Sequence, residues 1–314
     1  MSNGKSSVVL ALSAALALSV ACARAPEPAP PQQQQQAAAG GASYEQELEQ
    51  WKAKRLAGLK SEDGWLSLIG LFWLKEGENR FGSDPTNEIV LPEGKVPAQA
   101  GTLRLAGGKV TLEAKPGSGI KSGGQTVTTL ELKSDEDGAP TTLELGSLSF
   151  HVVKRGDRLG LRVKDRENPA RAEFKGTDYY PADRKWVVNA RFEPYDPPKR
   201  VPILNVLGME TEETAPGALA FEVDGREYRL QALKEKGEEQ LFIIFADQTS
   251  GKETYGAGRY LYADPPGADG RVTLDFNRAY SPPCAFTRYA TCPLPPAENR
   301  LPVRIEAGEK YVGH

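Results

Sequence analysis

Three carboxylates and two arginines in the last third of the chain are the residues best suited to chemistry. Asp247, Asp275 and Glu309 could divide acid and base roles if two of them shared one cleft, with Arg259 or Arg300 holding an anionic group beside them. Tyr255, Asn277, Tyr280 and Asn299 add polar and aromatic surface to the same stretch. Such a set suits a ligand-binding pocket or, alternatively, a hydrolase working outside the cytoplasm. Read as a strand, residues 254–262 put Tyr255, Ala257, Arg259 and Leu261 on one face, and Gly256, Gly258 and Tyr260 on the other. Two glycines on one face let a backbone or a ligand come close. In residues 272–277, Val272, Leu274 and Phe276 alternate with Thr273, Asp275 and Asn277. A hairpin closed by residues 263–270 would set Arg259 nearly opposite Asp275, in an ion pair that either holds the fold or lines a polar pocket.

The other reactive side chains are few. The 314 residues include three cysteines (Cys22, Cys284, Cys292) and two histidines (His151, His314), so sparse and so scattered that a four-ligand Cys/His zinc centre is not expected unless carboxylates join. No metal or cofactor is expected. Cys284 and Cys292, bracketed by Pro282-Pro283 and by Pro293, Pro295 and Pro296, fit a small-loop disulfide in an oxidising compartment. Buried free thiols and thiol chemistry are the other readings. His151 lies on a strand face opposite Leu148, Phe150 and Val152, with no Ser or Cys nucleophile nearby, and no Ser-His-Asp triad is visible. Gly256-Ala257-Gly258 falls within a strand, whereas a dinucleotide fingerprint needs strand, turn and then helix.

The elements that would position these residues begin after an address segment. Lys5 precedes an apolar run over residues 8–20, about 20 Å long as a helix and too short for a stable membrane crossing, which reads as a secretory signal peptide. Its end, Leu18-Ser19-Val20-Ala21-Cys22, resembles the bacterial lipoprotein box, with Ser19 where that box prefers Leu. The resemblance implies lipidation of Cys22, for instance with palmitate, and a membrane partner reached through that anchor. Ordinary cleavage after Ala21 is the alternative. Residues 23–42, rich in Pro, Ala and Gln with five consecutive glutamines, cannot bury enough surface to offset ordering entropy and read as a disordered linker. The lack of Asp after Cys22 resembles, in didermal bacteria, proteins sent on to the outer membrane. A cell-envelope location is therefore expected, in the periplasm or outer membrane if the host is Gram-negative. The formal charge of −3 and the lack of a basic block give nucleic-acid binding no support.

Beyond the linker, 32 Gly and 24 Pro argue for a turn-rich, mainly β chain. Ser43 with Gln46 forms a capping box that opens a helix over residues 43–60, closing near Gly64. Tyr44, Leu48, Trp51, Leu56 and Leu59 recur at helical spacing on it; Trp51 reads as core or as a ligand platform. Residues 65–74 are a dense apolar run with a bend at Gly70. Short β segments follow at 88–91, 101–105, 109–114, 143–145, 148–153 and 159–163. Residues 162–171 are charged and read as a connection or rim. Strands then recur at 186–192, 219–223, 228–232, 241–246, 254–262 and 272–276, with loops too short for helical crossovers.

Two stretches carry a family outline. Gly82-Ser83-Asp84-Pro85, Ile89-Val90-Leu91, Gly101-Thr102-Leu103, Val110-Thr111-Leu112, Leu145-Gly146 and Phe150-His151-Val152 resemble a forkhead-associated β-sandwich. Ser83 replaces the Arg that such domains use toward phosphothreonine, the Ser-and-His landmark is missing from residues 96–100, and Gly123-Gly124 stands for the Asn-Gly turn. The resemblance thus implies the scaffold without phosphopeptide binding. The second outline runs through Asp247-Gln248-Thr249-Ser250-Gly251, Tyr255-Gly256-Ala257-Gly258-Arg259-Tyr260, Leu274-Asp275-Phe276-Asn277-Arg278, Pro282-Pro283-Cys284 and Asn299-Arg300-Leu301-Pro302 to Ala307-Gly308-Glu309. It resembles the signature of a bacterial and archaeal family, domain of unknown function 1684, and extends back through Gly64-Trp65-Leu66. The expected architecture is mainly β: a helix over 43–64, a forkhead-associated-like antiparallel β-sandwich over 65–164, and a second antiparallel β-rich domain over 165–314. An envelope protein binding a small ligand or another envelope protein is the leading expectation; an extracytoplasmic hydrolase and a structural spacer are the rivals.

Overall fold

The computed structural model describes residues 42–311, which form one compact unit. The expected signal peptide, Cys22, all of the linker but Ala42, and His314 lie outside the described residues. Among those described, the chain is one long helix followed by three sheets built almost wholly from antiparallel pairs.

Helix α1 spans Tyr44–Lys60. The expected capping box is formed: the Ser43 hydroxyl accepts from the Gln46 N–H at 3.3 Å, and Gln46 Oε1 accepts from the Ser43 N–H at 2.8 Å. Leu48 and Leu59 are buried, and Trp51 and Arg55 are half-buried along the same stripe. The helix closes at Ser61, three residues before Gly64. No helix of the described residues is long and apolar enough to cross a membrane.

The first β region contains β1 (Leu68–Trp73), β2 (Gly77–Gly82), β3 (Ile89–Val90), β4 (Gly101–Ala106) and β5 (Lys109–Ala114). It continues through β6 (Lys121–Ser122), β7 (Gln125–Thr126), β8 (Thr129–Leu132), β9 (Leu143–Leu145), β10 (Leu148–Arg155) and β11 (Arg158–Asp165). One sheet has the order β1-β11-β10-β9-β6-β7 and the other β3-β2-β4-β5-β8, with β3 joining β2 in parallel. Alternation explains why they face each other. Leu148, Phe150 and Val152 of β10 and Leu161 and Val163 of β11 point inward, where they meet Phe81, Leu103 and Leu112 of the opposing sheet. The rings of Phe81 and Phe150 bridge the two layers at 5.8 Å. β11 continues to Asp165, so the charged stretch read as a rim from residue 162 begins inside a strand. Arg162 belongs to the sheet, with its neighbours Leu161 and Val163 in the core.

A short helix, α2 (Pro169–Glu173), leads to the second β region. Its strands are β12 (Val187–Leu204), β13 (Glu210–Val223), β14 (Arg226–Lys234), β15 (Leu241–Phe245), β16 (Arg259–Ala263) and β17 (Arg271–Asp275). Their order is β16-β15-β14-β13-β12-β17. The expected hairpin between 254–262 and 272–276 does not form. β16 pairs with β15, bringing Arg259 opposite Phe245, and β17 pairs with β12, bringing Asp275 opposite Val187. The connection over 263–270 instead joins the two edges of a curled sheet. Behind it the chain returns to β16, where Tyr260 and Tyr280 exchange backbone hydrogen bonds of 2.8 and 2.9 Å. The strand expected over 254–262 is also shorter: residues 254–258 form a turn, so its glycines lie outside the sheet.

Strand β15, Leu-Phe-Ile-Ile-Phe, is buried at every position because it separates two cores. Ile243 and Phe245 enter the curl of the sheet with Leu219, Leu230, Leu274 and Phe276. Phe242 and Ile244 face outward with Val201, Ile203, Tyr260 and Cys292, and this second cluster is only partly covered by Trp65, Tyr280 and Cys284.

Candidate functional site

The residues that drew attention in the sequence are mostly committed to internal partners. Arg259 is fully buried. Its Nη2 donates to Asp247 Oδ1 at 3.3 Å and to the Ile305 carbonyl at 2.9 Å, and its Nη1 donates to the Ala307 carbonyl. Asp247, the partner in place of the expected Asp275, also accepts from Thr249 Oγ1 at 2.8 Å and from the Ile305 N–H at 2.6 Å. Gly258 explains the local sequence. Its φ of +93° suits glycine, and a Cβ there would lie 2.5 Å from the Phe245 carbonyl and 2.6 Å from Pro295 Cγ. The turn before Arg259 is packed too tightly for any side chain.

Glu309 repeats the device. Gly308 precedes it at φ +77°, with its missing Cβ facing the Ala279 carbonyl at 2.4 Å. The carboxylate accepts from Arg55 Nε at 2.5 Å, from the Ser281 N–H at 2.7 Å and from the Tyr179 hydroxyl at 3.1 Å. Asp275 caps a turn through the Asn277 N–H at 3.1 Å, accepts from the Tyr44 hydroxyl at 2.9 Å, and pairs with Arg278 at 3.1 Å. Asn277 donates to the Asp183 carbonyl at 3.0 Å and to the Tyr44 oxygen at 2.9 Å. Asn299 ties β14 to β15, donating to the Gln231 and Ile244 carbonyls at 2.9 and 2.8 Å. Tyr255 packs edge-on against Tyr311, and Arg300 is exposed. Of the nine residues, only Tyr280 lines the cleft described next. The acid/base arrangement expected of Asp247, Asp275 and Glu309 is therefore replaced by three separate structural nests.

The cleft opens where the outer core is incompletely covered. A cavity of about 390 Å³ lies among Arg55, Trp65, Arg155, Arg162, Tyr260 and Tyr280, with Phe242, Tyr262, Glu235 and the segment of Pro283 and residues 290–293 completing its wall. A second cavity of about 580 Å³ shares Arg55, Trp65, Tyr262 and Tyr280 with it, and continues under α1 beside Trp51. The aromatic wall is ordered. Tyr262 stacks on Phe242 at 5.0 Å and lies parallel to Tyr280 at 6.4 Å, while Phe242 meets Tyr260 edge-on at 5.0 Å. Burial pushes the phenols of Tyr260, Tyr262 and Tyr280 above their ordinary range, so they stay neutral hydroxyls.

Three arginines reach this space from three elements. Arg55 of α1 is bound to Glu309 and lies 4.4 Å from the centre of the Tyr280 ring. Arg155 ends β10 and pairs with Asp135 at 2.8 Å. Arg162 of β11 is 5% exposed, and desolvation together with nearby Arg155 lowers its pKa to about 10. One threonine links the last two: Thr291 Oγ1 accepts from Arg155 Nε at 2.9 Å and from Arg162 Nη2 at 3.4 Å. Cys284 and Cys292 form a disulfide beside it, with Cα atoms 6.1 Å apart. His151 stands opposite Arg162 across the β10–β11 pair; burial first and the Arg162 charge second push its pKa down to about 4.

Arg55, Arg155, Arg162, Trp65, Tyr262 and Thr291 were not singled out from the sequence. Arg55 carried a signal, seven residues after Leu48 and four before Leu59 on the buried stripe of α1. Arg162 carried another, as a cation between two core residues of a strand.

Comparisons with known proteins place the second β region in company. The model of a family described as "Protein of unknown function (DUF1684)" matches residues 172–310. An uncharacterized protein of Haloarcula marismortui, solved in solution by NMR, is 33% identical over an alignment covering 45% of this chain and 80% of that one, with a TM-score of 0.39. No match was found among curated proteins.

Proposed function

Because this chain belongs to the DUF1684 family, whose description assigns no activity, we propose from the lipoprotein-like box ending at Cys22 that it is a cell-envelope lipoprotein, and from the cleft that it holds a small ligand. The anchor is an acyl group on Cys22, and the linker before Ser43 carries the folded unit away from the membrane. Neither nucleic acid nor a cofactor takes part in this reading.

One observation carries the ligand reading: two cavities that share Arg55, Trp65, Tyr262 and Tyr280 are walled by stacked aromatic rings and a few placed polar groups. Their volumes of about 390 and 580 Å³ fall within the range of small-molecule sites. The hydrolase alternative required Asp247, Asp275 or Glu309 to face open space, and each is instead saturated by internal donors.

The test uses full-length protein in detergent. A metabolite library is screened by thermal shift against the wild type and Tyr262→Ala, which removes the stacked ring shared by both cavities. At least one compound raises the wild-type Tm and loses that effect in the variant. Fractionation of cells carrying Cys22→Ser checks the anchor in parallel: the variant leaves the membrane fraction and takes up no labelled acyl chain. A library without a single hit, or a Cys22→Ser protein still held at the membrane, rejects the corresponding half.

A further inference from the structure

Resting on the cleft as a ligand site, we propose that Arg162, with Arg155 and Thr291, is an anion-binding floor that takes the oxyanion head of a small organic acid whose flat or apolar body lies against the aromatic wall. The charges around the cleft lead there. Arg55 is neutralised by Glu309 at 2.5 Å, and Arg155 by Asp135 at 2.8 Å. Glu235, the carboxylate of the wall, accepts a hydrogen bond from the Tyr262 hydroxyl at 2.6 Å. Arg162 is left over. Among the described residues it has no carboxylate partner, its Nε has no hydrogen-bond partner, and its one polar contact is the 3.4 Å bond to a neutral threonine hydroxyl. That hydroxyl is already engaged by Arg155 and can supply no countercharge.

A guanidinium so far removed from water, without an anion, opposes folding. If Arg162 only held the fold, an apolar side chain between the sheet and Trp65, whose ring centre lies 5.5 Å away, would serve better. The missing charge therefore comes from outside, and the cavity is where it enters. Arginine suits the task because its planar fork matches carboxylate and phosphate oxygens. Glu235 in the wall of the same cavity disfavours a second negative group, so the ligand carries its charge at one end and apolar or aromatic surface at the other.

Matched probes test this on full-length protein. Phenylacetate, phenyl phosphate and neutral phenylacetamide are titrated while Tm is read, in wild type, Arg162→Met and Arg162→Lys. Both anions raise the wild-type Tm by several degrees and phenylacetamide raises it by less; the difference between the anions separates carboxylate from phosphate preference. Arg162→Met holds or raises the ligand-free Tm and loses the anion increment, whereas Arg162→Lys keeps a reduced one. Equal shifts with phenylacetamide and phenylacetate would leave the cleft as a ligand site and overturn the anion floor. A ligand-free Tm lowered by several degrees in Arg162→Met would overturn it as well, since the arginine would then be a fold-holding group. A barren metabolite library is the separate result that removes the cleft itself.

Discussion

Arg259 and Arg162 are both withdrawn from water, yet their surroundings differ in kind. Arg259 donates through its two terminal nitrogens to a carboxylate and two carbonyls supplied by the fold, while its Nε, like that of Arg162, has no hydrogen-bond partner. Arg162 meets a threonine oxygen and the face of Trp65, and no carboxylate is in ion-pair contact with it; Asp135, whose charge reaches it, is already paired with Arg155. The first region surrounds its cation with acceptors placed by the turns around residues 247–258 and 305–309. The second assembles its cation from β11, a loop next to a disulfide and the turn after α1. A buried charge that the chain satisfies itself is part of the scaffold, and one that it leaves unsatisfied marks where another molecule belongs.

The largest expected effect separates the two directly. Arg259→Leu removes the one cation paired with Asp247 and leaves the buried carboxyl with only the Ile305 N–H and hydroxyls for company. Breaking one side of a buried pair costs about 3–5 kcal/mol. Urea unfolding followed by tryptophan fluorescence should show a midpoint far below that of the wild type. Arg162→Met in the same assay should stay within the ordinary scatter of surface substitutions. Equal losses in the two variants would erase the distinction.

Local chemistry was legible in the sequence; long-range pairing was not. The Ser43–Gln46 capping box and the strands at 109–114 and 143–145 depend on neighbouring residues, and they stand where their spacing puts them. The Arg259–Asp275 hairpin failed because β16 and β17, though joined by a short loop, take β15 and β12 as partners and stand at opposite edges of one six-stranded sheet. The dense motif around residues 247–309 drew attention to chemistry, while most of its conspicuous members are there for packing. Gly258 and Gly308 clear space for the buried Arg259 and Glu309, and Asn299 stitches two strands. The cleft residues come from several segments spread between Arg55 and Pro293 and share no local pattern.

The next effect reads the charge beside Arg162. His151 keeps its proton off until the pH falls to about 4, chiefly through burial and secondarily through Arg162, with Lys164 and Arg155 acting in the same sense and Asp135 opposing. The unfolded chain takes that proton near its ordinary value of 6.5. Between these values the unfolded state binds more protons, so stability falls as pH drops through the window, by up to about 3 kcal/mol in total. His151→Leu flattens the loss above the carboxylate range. Arg162→Met narrows the window from below, because one repelling charge is gone. An unchanged profile in Arg162→Met would mean that this cation is compensated, contrary to its contrast with Arg259.

The smallest effect concerns what holds Thr291. Cys284 and Cys292 close a loop with a sequence separation of 8, for which chain entropy gives about 2.5 kcal/mol of stabilisation. The loop ends next to the hydroxyl that both Arg155 and Arg162 use, and it lies far along the chain from the Asp247 carboxylate that Arg259 uses. The double variant Cys284→Ala with Cys292→Ala should therefore lower the unfolding free energy modestly and weaken anion stabilisation disproportionately, while the Arg259 nest keeps its slow amide exchange. Hydrogen exchange at the Ile305 amide, which donates to Asp247 at 2.6 Å, monitors that nest. If exchange there accelerates as much as anion stabilisation falls, the loop supports the whole second β region, and the two arginines do not belong to separable regions.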